Sequence, residues 1–208
     1  MLIEVRAKNC YAFNEEIQFS MKADMRNKKF GSNVHKENNF NVLKTAGIYG
    51  PNNTGKTCLI KCIKAIKNVL LNKNKEIMPN IFTDSTVCEL GITFLFLGRK
   101  FAYDFKYDIK ENAFIYESFL EILKDQYNNE KEICWLKKDT IGEEYECLDE
   151  SLRDIIPVVS KNNLLYYVMD TDKFEYINKM KEILVGFASK IDVILFILQL
   201  DIARGRKN

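Results

Sequence analysis

Apolar and polar positions alternate from the start of the chain. Leu2, Ile3 and Val5, then Tyr11 and Phe13, then Ile17, Phe19 and Met21 predict two short strands, with a turn around Asn14, Glu15 and Glu16. Residues 22–44 are polar and rather basic, with Lys22, Arg26, Lys28, Lys29, Lys36 and Lys44, and read as a long loop. Such a stretch is either a solvated connector or a loop facing phosphate or DNA. Thr45-Ala46-Gly47-Ile48-Tyr49 has the character of a short buried strand. Beyond it Cys58, Leu59, Cys62, Ile63, Ile66, Val69 and Leu70 recur at helical spacing, with Lys61, Lys64 and Lys67 between them. That spacing predicts an amphipathic helix of about four turns, broken by residues 72–80.

From Val87 to about Leu123 the period changes to two. Leu90 to Phe96 reads as a strand, Gly98 to Lys100 as a turn, Phe101 to Ile109 as a cleanly alternating strand, Glu111-Asn112 as a turn, and Ala113 to Ile122 as a strand. These predict an antiparallel meander. Residues 124–150 are charged, with an extra strand expected over Ile133 to Lys137. From Ser151 the pattern is helical: Leu152/Ile155/Ile156, then Phe174/Ile177/Met180/Ile183/Leu184/Phe187, then Ile191 to Ile202. The chain divides on this reading into 1–75, a nucleotide-binding core; 76–150, a β arm; and 151–208, a helical segment.

The chemistry lies between the expected strand and the helix. Gly50-Pro51-Asn52-Asn53-Thr54-Gly55-Lys56-Thr57 satisfies G-x-x-x-x-G-K-[ST], the P-loop or Walker A motif. Each part has a physical task. The glycines let successive N–H groups turn inward to make an anion nest. The following helix directs its positive end at the same point. Lys56 adds a mobile charge for the β- and γ-phosphates, and the Thr57 hydroxyl ligates Mg²⁺. Asn52 and Asn53 offer further amides, and Cys58 closes the stretch. The surrounding pattern, strand before and helix after, is what the motif requires.

Composition narrows the alternatives. The 208 residues are 47% hydrophobic and 29% charged, ordinary for a folded chain, and the net charge is only +2. That near-balance does not mark a dedicated nucleic-acid binder. Six cysteines (Cys10, Cys58, Cys62, Cys88, Cys134 and Cys147) form no CxxC, and His35 is the only histidine, which leaves little for a zinc site or a histidine triad. Asp104 and Asp108 share one strand face, where a solvent face outweighs a metal pair. Cys58 and Cys62 lie one helical turn apart, as reduced core residues, with redox sensing the remote option. The first residues lack the form of a secretory signal, and the longest apolar run, Val193 to Leu198, is about a third of a bilayer span. A soluble cytoplasmic protein with reduced thiols, away from membranes, is the expectation.

Taken together, MLIEVRAKNCYAFNEEIQFSM followed by TAGIYGPNNTGKTCLIKCI resembles the opening of the ABC/SMC-like AAA-type ATPases. These include the RecF and SMC heads, the overcoming-lysogenization-defect class and the bacterial AAA ATPases of phage-defence and abortive-infection systems. The meander FAYDFKYDIKENAFIYESFLEI is similar to their β-rich arm. The resemblance implies an α/β P-loop lobe with a mixed sheet, an antiparallel β arm and C-terminal helices. It implies a head that binds MgATP, dimerises with ATP between protomers and hydrolyses it to drive a partner. Gly50, Gly55, Lys56 and Thr57 carry over, with Asn52 as a frequent loop amide. A residue in the Asn9 to Phe13 segment would lie near the base, or Tyr11 and Phe13 are simply sheet and core residues.

Hydrolysis in that family needs four apolar residues followed by Asp-Glu. Leu164 to Asp170 and Leu195 to Asp201 have the apolar run and the Asp, but Thr171 and Ile202 stand where Glu belongs. No LSGGQ-type signature or switch histidine is present, and Gln18, Gln126 and Gln199 give no clear Q-loop. The chain is then an N-terminal portion of a longer head, the product of a split or decayed gene, or a divergent NTPase with an unrecognised acid. Self-association, a complementary C-terminal half, an effector protein or DNA are the partners to expect. An ATPase head and a non-hydrolysing nucleotide-binding module both remain open.

Overall fold

β1 (Leu2–Lys8) and β2 (Ile17–Ser20) form the expected N-terminal pair, joined by a broader turn than residues 14–16. The computed structural model describes residues 1–26, 29–52, 54–73, 75–125, 129–148, 150, 163 and 178–191. Two further strands, β3 (Val34–Glu37) and β4 (Phe40–Leu43), make a hairpin. Then come α1 (Lys56–Leu70) and the meander β5 (Val87–Phe96), β6 (Arg99–Asp108), β7 (Ala113–Lys124), β8 (Glu130–Asp139) and β9 (Glu144–Cys147). Residues 178–191 are helical and are called α2.

One sheet of seven strands holds the order β2-β1-β5-β6-β7-β8-β9, so β1 pairs directly with the meander. Register explains its two faces. Phe19, Val5, Ile92, Tyr103, Phe119, Leu136 and Cys147 stand opposite one another strand by strand, so their side chains share a face. One residue along, Gln18, Arg6, Gly91, Asp104, Ser118, Lys137 and Glu146 make the polar face. The apolar face is covered by the helices. α1 contributes Leu59, Cys62, Ile63, Ile66, Val69 and Leu70 to the core. α2 contributes Met180, Ile183, Leu184 and Phe187, the positions its periodicity marks, and Phe187 stacks on Phe94 with centroids 3.9 Å apart.

The structure corrects several expectations. Residues 22–44 are not one long loop: β3 and β4 pair within them around Asn38 and Asn39, both at positive φ, as a two-residue hairpin turn demands. Residues 45–49 form no strand. Ala46 and Ile48 pack on the core and Tyr49 is 93% exposed, which is strand-like alternation without a ladder. No described strand pairs with them: β1 is flanked by β2 and β5, and no ladder joins residues 45–49 to the outer edges of β2 or β9. The sheet is accordingly not mixed among the described residues, since every ladder is antiparallel. The expected helices over residues 151–177 and 192–202 lie outside the described residues.

Candidate functional site

The glycine-rich segment leads straight into α1. Gly55 is the N-cap of that helix, with φ +86° and ψ 2°, a left-handed conformation that costs a side chain-bearing residue about 1–2 kcal/mol. It provides no side chain to cap the first-turn N–H groups, and the first turn carries no acidic residue. The first-turn N–H groups of Lys56, Thr57 and Cys58 and the aligned dipole therefore meet no side-chain cap and no carboxylate of the first turn.

Lys56 bends back over the loop that precedes it. Its Nζ donates to the Gly50 carbonyl at 2.6 Å, to the Pro51 carbonyl, and more weakly to Thr54 Oγ1 at 3.4 Å. Thr54 Oγ1 in turn donates to the Pro51 carbonyl at 2.9 Å. The loop is thus closed by its own side chains. Pro51, Asn52, Thr54 and Thr57 are exposed and Cys58 is partly buried, while Asn53 lies outside the described residues.

Beneath this loop is a part that the motif alone does not reveal. The turn after β1 is held by paired backbone bonds between Cys10 and Phe13 (3.0 and 2.9 Å) and by Asn9 N to Asn14 O at 3.2 Å. Its Phe13 ring lies so close to Gly55 that a Cβ there would be 2.9 Å from the ring edge. The anchor of the turn is Asn9, itself at φ 50°. Its Nδ2 donates to the Ser85 and Val87 carbonyls at 2.8 and 2.9 Å, and its Oδ1 accepts from Thr83 Oγ1 at 2.5 Å. Tyr11 points elsewhere: its hydroxyl donates to the Glu76 carbonyl, and Lys61 Nζ sits 5.7 Å from its ring centroid. The sequence offered Phe13 either as part of the Asn9 to Phe13 segment near the base or as a plain apolar position; its contact with Gly55 depends on the turn.

The other candidate groups have structural partners. Asp104 and Asp108 lie on the outer face, as alternation predicts, but neither is simply solvated. Arg6 Nη2 and Nε donate to Asp104 Oδ1 at 2.7 and 3.1 Å. Burial raises the Asp104 carboxyl above its ordinary pKa, and Arg6 opposes this only in part. Asp108 accepts from Thr86 Oγ1 and the Lys110 N–H, both at 2.9 Å, and so caps a turn. His35 Nε2 lies 3.0 Å from Glu37 Oε2. All six cysteines are free thiols. Cys62 is buried and its thiol is pushed up to about 12 by burial, so no thiolate forms there at neutral pH. Cys10 is also raised, by its hydrogen bond with Cys88 and then by burial.

Among the described residues no group of three His, Cys, Asp or Glu side chains is placed to hold a metal ion. Thr57 stands exposed in the first turn of α1. Asp170 and Asp201 lie outside the described residues, as do Gln126 and Gln199. Among the described residues no helix is long and apolar enough to cross a membrane. Comparison with protein-family models and with curated protein sequences finds no match.

Proposed function

We propose that the chain binds ATP with Mg²⁺ through residues 50–58, as the N-terminal portion of an ABC/SMC-like ATPase head. One observation carries the reading. Lys56 and an uncapped, carboxylate-free helix start converge on one loop, whose left-handed glycine leaves the first-turn donors open. In this reading the N–H groups of residues 50–58 bind phosphate oxygens, Lys56 exchanges the Gly50 and Pro51 carbonyls for the β- and γ-phosphates, and Thr57 ligates Mg²⁺. Mg²⁺ bound with the nucleotide neutralises phosphate charge. The head would couple binding and hydrolysis to a partner: a second copy, a complementary C-terminal half, an effector protein or DNA, in a setting such as anti-phage defence or DNA maintenance.

The alternative is a nucleotide-binding module without turnover. The sequence favours it, because Thr171 and Ile202 stand where the Glu of an Asp-Glu pair would follow the two apolar runs. Titration of a fluorescent ATP analogue in the presence of Mg²⁺, alongside a phosphate-release assay, tests both. Saturable binding that Lys56→Ala weakens by about tenfold or more supports the nucleotide reading, and release of phosphate decides for the enzyme. A folded wild-type chain that leaves the analogue unbound rules the reading out.

A further inference from the structure

We infer that Phe13 is a positioning residue for the phosphate loop: its ring is the floor on which Gly55, and with it Lys56, is set. This rests on the nucleotide-binding reading of residues 50–58 and adds to it a residue outside the motif.

The inference begins with what fails to hold the loop. A phosphate loop ordinarily hangs between a strand of the sheet and a helix. Here residues 45–49 form no ladder, and Tyr49 is 93% exposed. The side-chain hydrogen bonds of Thr54 and Lys56 stay within the loop, to Gly50, Pro51 and Thr54. They shape it without tying it to the sheet.

The Phe13 contact supplies that tie. The cradle where a side chain on Gly55 would sit is filled by the ring edge, with Cε1, Cζ and Cδ1 at 2.9, 3.4 and 3.9 Å from the Cβ position. Gly55 is therefore needed twice, for φ +86° and for this close approach. The ring is not free to follow the loop. Its turn is pinned by the Cys10–Phe13 bonds, by a bridge from Cys10 to Pro79, and by the Asn9 amide. The chain thus runs from β1 through a fixed turn to a ring, and from the ring to the helix N-cap.

Gly55 sets the direction of the first-turn N–H groups and the root of Lys56 together. Losing the floor moves all of them as a unit. Phe13 offers no polar atom, so its effect falls on the placement of the phosphate groups and is blind to the base. A ring that stacked on adenine would behave in the opposite way.

Calorimetric titration of the full chain separates these cases, using MgATP and magnesium tripolyphosphate with wild type, Phe13→Ala and Phe13→Leu. Thermal melts fix a temperature at which each protein is folded. The expected result is that Phe13→Ala loses about tenfold or more in affinity for both ligands alike, and that Phe13→Leu, which keeps apolar bulk under Gly55, regains most of it. A loss confined to MgATP overturns the inference in favour of base stacking. Unchanged affinity in both variants overturns it outright while leaving the nucleotide site standing. A folded wild type that binds neither ligand overturns the nucleotide reading, and the role of Phe13 with it. Should Phe13→Ala not fold, Phe13→Val, which leaves part of the space under Gly55 empty, takes its place: a loss of affinity equal for the two ligands upholds the floor, and an unequal loss or none overturns it.

Discussion

Nζ of Lys56 donates to the carbonyl oxygen of Gly50 at 2.6 Å, so the lysine proposed to bind phosphate is held by the first residue of its own loop. The bond is solvent-exposed, and an exposed bond of this kind adds little to folding. Lys56→Met is therefore expected to change unfolding free energy by less than about 1 kcal/mol. Its affinity for MgATP should fall by about ten- to a hundredfold, the worth of a hydrogen bond to a charged group. Urea denaturation beside a binding titration checks both halves.

Asn9 joins the floor of the loop to the sheet. Asn9→Ala removes the donors to Ser85 and Val87 and the acceptor for Thr83, and puts alanine at φ 50°. A loss of about 2–4 kcal/mol is expected. Asn9→Gly relieves the backbone but not the lost bonds, and should recover only about 1 kcal/mol. Chemical denaturation of the three proteins separates the two contributions.

Glu117 and Lys138 face each other across β7 and β8 with 1% and 0% of their surface exposed, and Tyr103 donates to Glu117 at 2.9 Å. Removing one buried charge strands the other. Lys138→Met should cost about 3–5 kcal/mol, and Glu117→Gln with Lys138→Met should regain much of it. Burial lowers the Lys138 pKa from its ordinary 10.5, against the pull of Glu117. The unfolded chain then binds more protons just below pH 10.5, so this lysine makes stability rise with pH there. Comparing wild type and Lys138→Met across pH 9 to 10.5 should show that slope in the wild type and its loss in the variant.

Gly91 lies on the polar face where Arg6 reaches Asp104. A Cβ there would stand 1.9 Å from Asp104 Oδ1 and 3.1 Å from Arg6 Nε. Gly91→Ala should destabilise by about 1–3 kcal/mol through overpacking. Gly91→Ala combined with Asp104→Ala should cost less than the sum of the two single changes, measured by denaturation.

Much of the sheet was legible because period two is a local signal. Phe101, Tyr103, Phe105 and Tyr107 alternate with Ala102, Asp104 and Lys106 and are all buried on one face. The α1 stripe was legible for the same reason at period 3.6. The β3–β4 hairpin was masked by its lysines, although Asn38-Asn39 between Val34 and Phe40 is a turn signal. β9 offered only Tyr145 and Cys147 as alternating positions. Residues 45–49 were apolar enough for a strand, but a strand also needs a ladder partner, and the pairing of distant segments is not written in a local pattern. Glu117, Glu121 and Lys138 are buried against apolar expectation because their partners lie across the sheet, out of reach of any local pattern. The phosphate motif was plain in the sequence, and Phe13 beneath it was not, since the contact joins residues 13 and 55.

The most direct measurement is a calorimetric titration of the purified chain with ATP and Mg²⁺, beside Lys56→Ala under the same conditions. The expected result is saturable micromolar binding in the wild type and affinity weaker by about tenfold or more in the folded variant. Absence of heat from a wild-type chain shown to be folded, or equal binding by Lys56→Ala, would contradict a phosphate site built on residues 50–58.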